Sequence, residues 1–455
     1  MVDPILIKFQ KGLDNRSREY ALPEGTARTL ENVDVTRDGG LMARKGLRAV
    51  STSDCHSLFA PSTRFLLLVK AGVLTRMDQG EQFTALTAVS GPVQYALLND
   101  ETYWTDGTAV GRITATGEST FWGLSTPPAP VCSAVSSGGL HAGTYQVAMT
   151  AVHTVSGLES GAGECVEVVV AADGGIQVTV PSASGVNFAV YLTPPNGEQG
   201  ELRQAALLAP GGTTALGRDA TLGKPLDSLF ATKPLPGQCL VAHKGRLWCA
   251  SGTVIWFTSE KSPHWLFPDN NYFYFEAPVT LLSAAEDGLY VGTAHSVYFL
   301  QGSDPAKMTQ RLVAAEGAAR YSQTELPYDL FLGQGSFPTR QCAWWTVNGQ
   351  LAIGKPGGIV LYPAQDRFSA GATTTGVLAY RDYAGLRQLI AALDTQINST
   401  QAIDTAIIEV FSQEIILGEI FSAESGLAFI PITGLGQISA ESGLVFPPIT
   451  GFGQT

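Results

Sequence analysis

The chain has 455 residues and a formal net charge of −12; only 15% of its residues are charged, against roughly a quarter in average globular proteins. That balance excludes a basic clamp on nucleic acid, which needs clustered Lys and Arg to displace counterions, but not an acidic channel through which DNA slides. Sparse charge, 50 Gly, 25 Pro and many Val, Thr and aromatic residues point to an all-β protein with tight turns, long enough for roughly three domains.

The opening Met1-Val2-Asp3-Pro4-Ile5-Leu6-Ile7-Lys8 lacks the basic-then-apolar layout of a signal peptide. No cleaved N-terminal signal is therefore expected, and the scattered cysteines suit synthesis in a reducing cytoplasm. Turn signals follow at Gly12-Leu13-Asp14-Asn15 and Leu22-Pro23-Glu24-Gly25. A hairpin is then predicted, with Glu31 to Val35 going out, Arg37-Asp38-Gly39-Gly40 turning, and Leu41 to Gly46 returning. Phe65 to Val69 turns at Lys70-Ala71-Gly72 into Val73 to Met77. Lys70 also interrupts the apolar run far short of a membrane span. Tyr95 to Leu98 turns at Asn99-Asp100-Glu101 into Thr102 to Thr105, and Asp106-Gly107 turns again.

Past the linker Pro127-Pro128-Ala129-Pro130 the rhythm changes. Tyr145, Val147 and Met149 alternate onto one face, Val166 to Val170 reads as a buried strand, and Ile176-Gln177-Val178-Thr179-Val180 alternates cleanly. Turns every eight to twelve residues or so suggest a small sandwich without the Cys pair and central Trp of antibody domains.

From residue 235 the first grammar resumes. Hairpins are predicted at Lys244-Gly245, Asp287-Gly288 and Asn348-Gly349, each followed by an aromatic-rich strand. The turn glycines stand 43 and then 61 residues apart, which fits an irregular series of four-stranded propeller blades; a generic sandwich of hairpins is the plainer reading. Leu386 to Leu393 suits either a last blade strand or a short helix, and Asn398 to Ile408 reads as a linker. The last thirty-four residues hold a tandem repeat: Ser422 to Gln437 returns as Ser439 to Gln454 with 13 of 16 positions identical. Such units are too short to bury a core of their own. Their apolar residues are expected to dock on a partner by strand addition, and Leu427, Phe429, Ile432, Leu444, Phe446 and Ile449 are the candidates.

Little in the chain suggests chemistry. The six histidines show no metal-ligand spacing, and there is no G-x-S-x-G elbow or phosphate-binding loop. No cofactor is expected. The six scattered cysteines are read as buried free thiols. Carboxylates such as Glu276, Glu286 and Asp287 could serve a propeller glycosidase only as a pair facing a pocket. Trp256-Phe257, Trp265-Leu266-Phe267, Tyr272 to Phe275 and Trp344-Trp345 suit either a sugar groove or, by their alternation, a packed core.

The opening motifs, through Glu31-Asn32-Val33-Asp34 and Gly40-Leu41-Met42-Ala43-Arg44-Lys45-Gly46, resemble the N-terminus of tail nozzle (tail tubular) proteins of short-tailed bacteriophages. Val254 to Ser259, Pro263 to Phe267, Phe273 to Glu276 and Val279 to Leu300 are similar to the blade region of that family. The switch at Trp122-Gly123-Leu124 and the Pro cluster is similar to its passage into a fibronectin-like insert, so the resemblance spans roughly residues 9 to 390. It implies an irregular β-propeller (1–126 and 226–393), a fibronectin III-like inserted sandwich (127–225) and a linker with docking tail (394–455). It further implies a non-enzymatic virion protein: a homohexameric ring at the tail end, stacked on a tail adaptor, carrying fibres or spikes and passing phage DNA through an acidic lumen. Two other readings stay open, a baseplate protein of a long-tailed phage and a carbohydrate-binding or hydrolytic propeller.

Overall fold

A computed structural model describes residues 9–395 and 407–410, apart from 10, 31–32, 37, 44–49, 327–338 and 384–385. The protein is mainly β. Among the described residues the helical elements are four single-turn 3-10 segments: Glu19–Ala21, Gln199–Glu201, Pro305–Lys307 and Pro356–Gly358. Five four-stranded sheets run in simple sequence order, over 55–88, 94–120, 239–274, 279–314 and 324–361, the meander from which propeller blades are built. The chain divides into two compact units, Met1–Tyr95 with Ala277–Thr455, and Ala96–Glu276.

Turn chemistry explains where the meanders fold back. Ala71 and Gly72 have φ of 51° and 75°, Asn99 and Asp100 of 53° and 63°, Lys244 and Gly245 of 47° and 74°. Two consecutive left-handed residues are what a two-residue hairpin needs to match strand twist. At 286–288 the expectation shifts. The turn is Glu286–Asp287, neither left-handed, while Gly288 starts the strand Gly288–Thr293. A Cβ there would strike the Leu300 carbonyl and the Phe299 ring, so glycine is set by close approach rather than by the turn.

In the first unit, Trp344 and Trp345 are adjacent on the strand Gln341–Trp345, and both are fully buried. Alternation sends them to opposite faces. Trp344 joins Leu281, Tyr290 and Phe299 of the 279–314 meander, with its ring 5.2 Å from Tyr290. Trp345 joins Leu378, Tyr380, Leu389 and Phe368 on the other side. One sheet is thus held between two neighbours. The second neighbour is the long hairpin Thr373–Tyr383 with Leu386–Thr395, which settles 386–393 as strand. The stretch read as a linker ends in a third strand, Ile407–Val410, paired to Leu389 through Ala392.

In the second unit, Tyr103 of the 94–120 sheet and Trp122 just beyond it pack on Leu240, Leu247 and Cys249 of the 239–274 meander. Residues 131–216 form two further sheets around one core, Tyr145, Val147 and Met149 facing Ile176, Val178 and Leu216. Val166–Val170 is not buried throughout: Val168 and Val170 enter the core, whereas Val169 is 73% exposed, because only one face of that sheet meets its partner. The cysteines are free as expected, but Cys55, Cys132 and Cys165 are half-buried; only Cys239, Cys249 and Cys342 lie inside.

Candidate functional site

A buried polar cluster sits where the sandwich meets its connector to the 239–274 meander, in the turn between Gly143–His153 and Val166–Val170. Glu159 is buried there. Its Oε1 accepts from Thr150 Oγ1 and from Tyr191 Oη, both at 2.6 Å, and Oε2 accepts from Lys224 Nζ. Burial alone would raise this carboxyl; the bonds from Lys224, Thr150 and Tyr191 outweigh it and hold the group below its ordinary value. The same environment pushes the Tyr191 phenol up, first by burial and then by the neighbouring carboxylate.

Backbone groups extend the cluster. Trp265 Nε1 donates to the Glu159 carbonyl at 2.8 Å, and Trp122 Nε1 donates to the Pro263 carbonyl at 2.9 Å. Ala151 N donates to Ser160 Oγ, Ser228 Oγ to the Ser160 carbonyl, and Phe230 N to the Ala162 carbonyl. Gly161 passes so close to Ala231 that a Cβ would overlap its carbonyl. Beneath these bonds Ala148, Ala162, Ala189, Tyr191 and Leu202 form a small second core on the outer face of the sandwich sheet. His264, in edge contact with Trp265 at 5.0 Å, is pushed down to about 4 by burial and by Arg112, so it is neutral at neutral pH.

Every Glu159 oxygen accepts a hydrogen bond, so the node fastens the 159–161 turn to Thr150, Tyr191, Lys224 and Trp265. Sequence reasoning missed it: Gly157-Leu158-Glu159-Ser160-Gly161 reads as an ordinary turn, and nothing local reveals that Tyr191 and Lys224 come to the same carboxylate.

The residues singled out from the sequence fare variously. Leu427, Phe429, Ile432, Leu444, Phe446 and Ile449 lie outside the described residues. Glu276 and Glu286 are exposed, while both Asp287 oxygens accept from Gly357 N, a turn-stabilising role. No group of three or more metal-ligating side chains occurs among the described residues. Of the aromatic runs, Trp344, Trp345 and Phe275 are core, and Phe257 and Phe273 pack on Trp248. Tyr272 and Tyr274 are 48% and 62% exposed on an outer strand, Tyr272 lying 5.8 Å from the Trp256 ring.

No protein-family model matches the chain, and comparison with curated proteins yields no match. Among solved structures it is similar to BBS1N from a complex with ARL6DN, at 11% identity and TM-score 0.32 over 76% of this chain and 90% of that one. It is similar to the Neurospora crassa Pan2 WD40 domain at 10% identity and TM-score 0.30, covering 74% and 86%, and to the Dos1 propeller at 8% and 0.32, covering 79% of each. Likeness at that level says nothing about what the chain does.

Proposed function

We propose that this chain is a structural component of a bacteriophage tail: a ring-forming nozzle that makes the distal DNA conduit and anchors fibres or spikes. The supporting observation is the clamp just described. A sandwich fastened to its meander through Glu159, Trp265 and the 226–232 connector is suited to bearing the load of an attached fibre. The net charge of −12 favours a lumen that DNA traverses without sticking. The opening motifs that carry the resemblance to nozzle proteins also have mechanical work, since Asp14 closes a local turn by accepting from Arg16 N and Ser17 N while Asn15 fixes the strap onto Ser369. In this reading the copies form a closed ring on a tail adaptor, and the 422–454 repeats grip the fibre or spike. Particles made without this chain are expected to keep filled heads, lose the distal tail and fail to infect. Intact, infective particles from a null strain would refute the proposal.

A second reading rests on Tyr272, Tyr274 and Trp256. Aromatic faces at the outer edge of a sheet suit contact with a sugar ring, so a surface polysaccharide is the ligand to try. Saturable binding lost on Tyr272→Ala with Tyr274→Ala would favour it; its absence would leave the aromatics as surface packing.

A further inference from the structure

The N-terminal strap and the inserted sandwich present opposite charge. On the strap Lys11, Arg16, Arg18 and Arg28 are exposed, against the exposed acids Glu19 and Glu24. A third acid, Asp14, is buried and spends its carboxylate on Arg16 N, Ser17 N and Ser17 Oγ. The guanidinium bonds run to neutral oxygens: Arg16 to the Gln365 carbonyl, Arg18 to the Tyr20 hydroxyl, Arg28 to the Ser17 carbonyl. Tyr20 stands among them 81% exposed.

The sandwich shows the reverse. On its strand Val166–Val170, Val168 and Val170 enter the core, so Glu167 and Val169 share the outward face. Val169 is the register partner of Thr144, whose amide and carbonyl both bond to Asn196. That sets the turn bearing the exposed Glu198 and Glu201 beside the same face. Among the described residues none of these three carboxylates pairs with a Lys or Arg.

We propose that the strap of one copy docks on this acidic face of the next, Tyr20 packing on Val169 inside a rim of paired charges. Tyr20 and Val169 are both exposed in the chain itself, so each has room for a partner from another copy. Copies of a chain with net charge −12 repel one another, and a contact between them needs cations gathered where the other copy is acidic. Tyr and Arg are also the residue types that dominate interface energies. Because the two surfaces differ, the contact is head-to-tail, the kind that closes into rings. The inference rests on the proposed ring for its choice of partner and adds the surfaces that meet.

Sedimentation of the purified full chain tests it. Lys11→Glu with Arg18→Glu leaves the bonds of Arg16 and Arg28 in place. It is expected to weaken self-association at least about tenfold without lowering the melting temperature. Glu167→Lys with Glu198→Lys is expected to do the same, and the chain carrying all four changes to recover, since the charges then pair in reverse. An oligomer that ignores both reversals would overturn this interface and leave the ring reading standing. Weakening by both without recovery in the combined chain would overturn the pairing of these two surfaces. A chain that stays monomeric at every concentration would overturn the interface too, while the ring itself is decided separately on the particles.

Discussion

Asn15 and Ser369, 354 residues apart, exchange two hydrogen bonds: Asn15 Nδ2 donates to the Ser369 carbonyl at 2.7 Å, and Ser369 N donates to Asn15 Oδ1 at 3.0 Å. Around them Asn15 N and Arg16 N both donate to the Arg367 carbonyl, Arg16 Nη1 donates to the Gln365 carbonyl and Arg367 Nη1 to the Lys11 carbonyl. The N-terminal strap thus closes the first unit against its C-terminal part, with Leu13 packed on the core that holds Trp345. Asn15→Ala removes both amide bonds and is expected to lower stability by about 1 kcal/mol, the pair being solvent-exposed. Asn15→Asp keeps only the acceptor and is expected to fall between. Urea denaturation of the three proteins checks the order; equal stability would show the strap to be decorative.

Trp344 and Trp345 face different neighbours, so their removal is expected to loosen different elements. Trp345→Ala is expected to cost about 3–5 kcal/mol and to speed hydrogen exchange in 373–395. Trp344→Ala costs a similar amount but speeds exchange in 279–300 instead. If both variants loosened the same segments, the stacking order described here would be wrong.

The Glu159 node makes stability depend on acid. The carboxyl is held below its ordinary value of 4.5 in the folded protein, so it contributes stability above that value, lost as pH falls through the folded pKa. Glu159→Gln is expected to destabilise by about 1–3 kcal/mol at neutral pH, since it leaves Lys224 without its anion, and to flatten the pH profile below about 4.5. Lys224→Met is expected to cost less, because Lys224 is half exposed. Melting curves from pH 3 to pH 7 measure both effects.

His264 adds an earlier limb to the same profile. Its folded pKa of about 4 lies below the ordinary 6.5, so between those values the unfolded chain binds the extra proton and stability falls as pH falls. In His264→Gln the slope between pH 6.5 and pH 4 is expected to shrink while that below pH 4.5 persists. Imidazole resonances that titrate near 6.5 in the folded protein would contradict the burial described.

Much of the architecture was legible locally. Asn99-Asp100 and Lys244-Gly245 announce their hairpins because left-handed turn residues are a local requirement, and Ile176-Gln177-Val178 alternates because only one face is covered. What remained hidden depends on distant partners. Gly288 looks like a turn glycine until Phe299 lies across it. Asp14-Asn15 looks like a loop until 365–369 arrives, and Glu159 looks like a surface turn until Tyr191 and Lys224 converge on it. Apolar patterning from Leu427 to Ile449 marks a sticky segment but does not identify its partner.

The role itself is tested most directly by cryo-electron microscopy of particles from the producing culture, with this chain fitted into the density. The account predicts a closed ring of copies at the distal end of a short tail, its axis open to DNA and fibre or spike density reached by the C-terminal repeats. Particles whose tails are fully explained by other chains would contradict it.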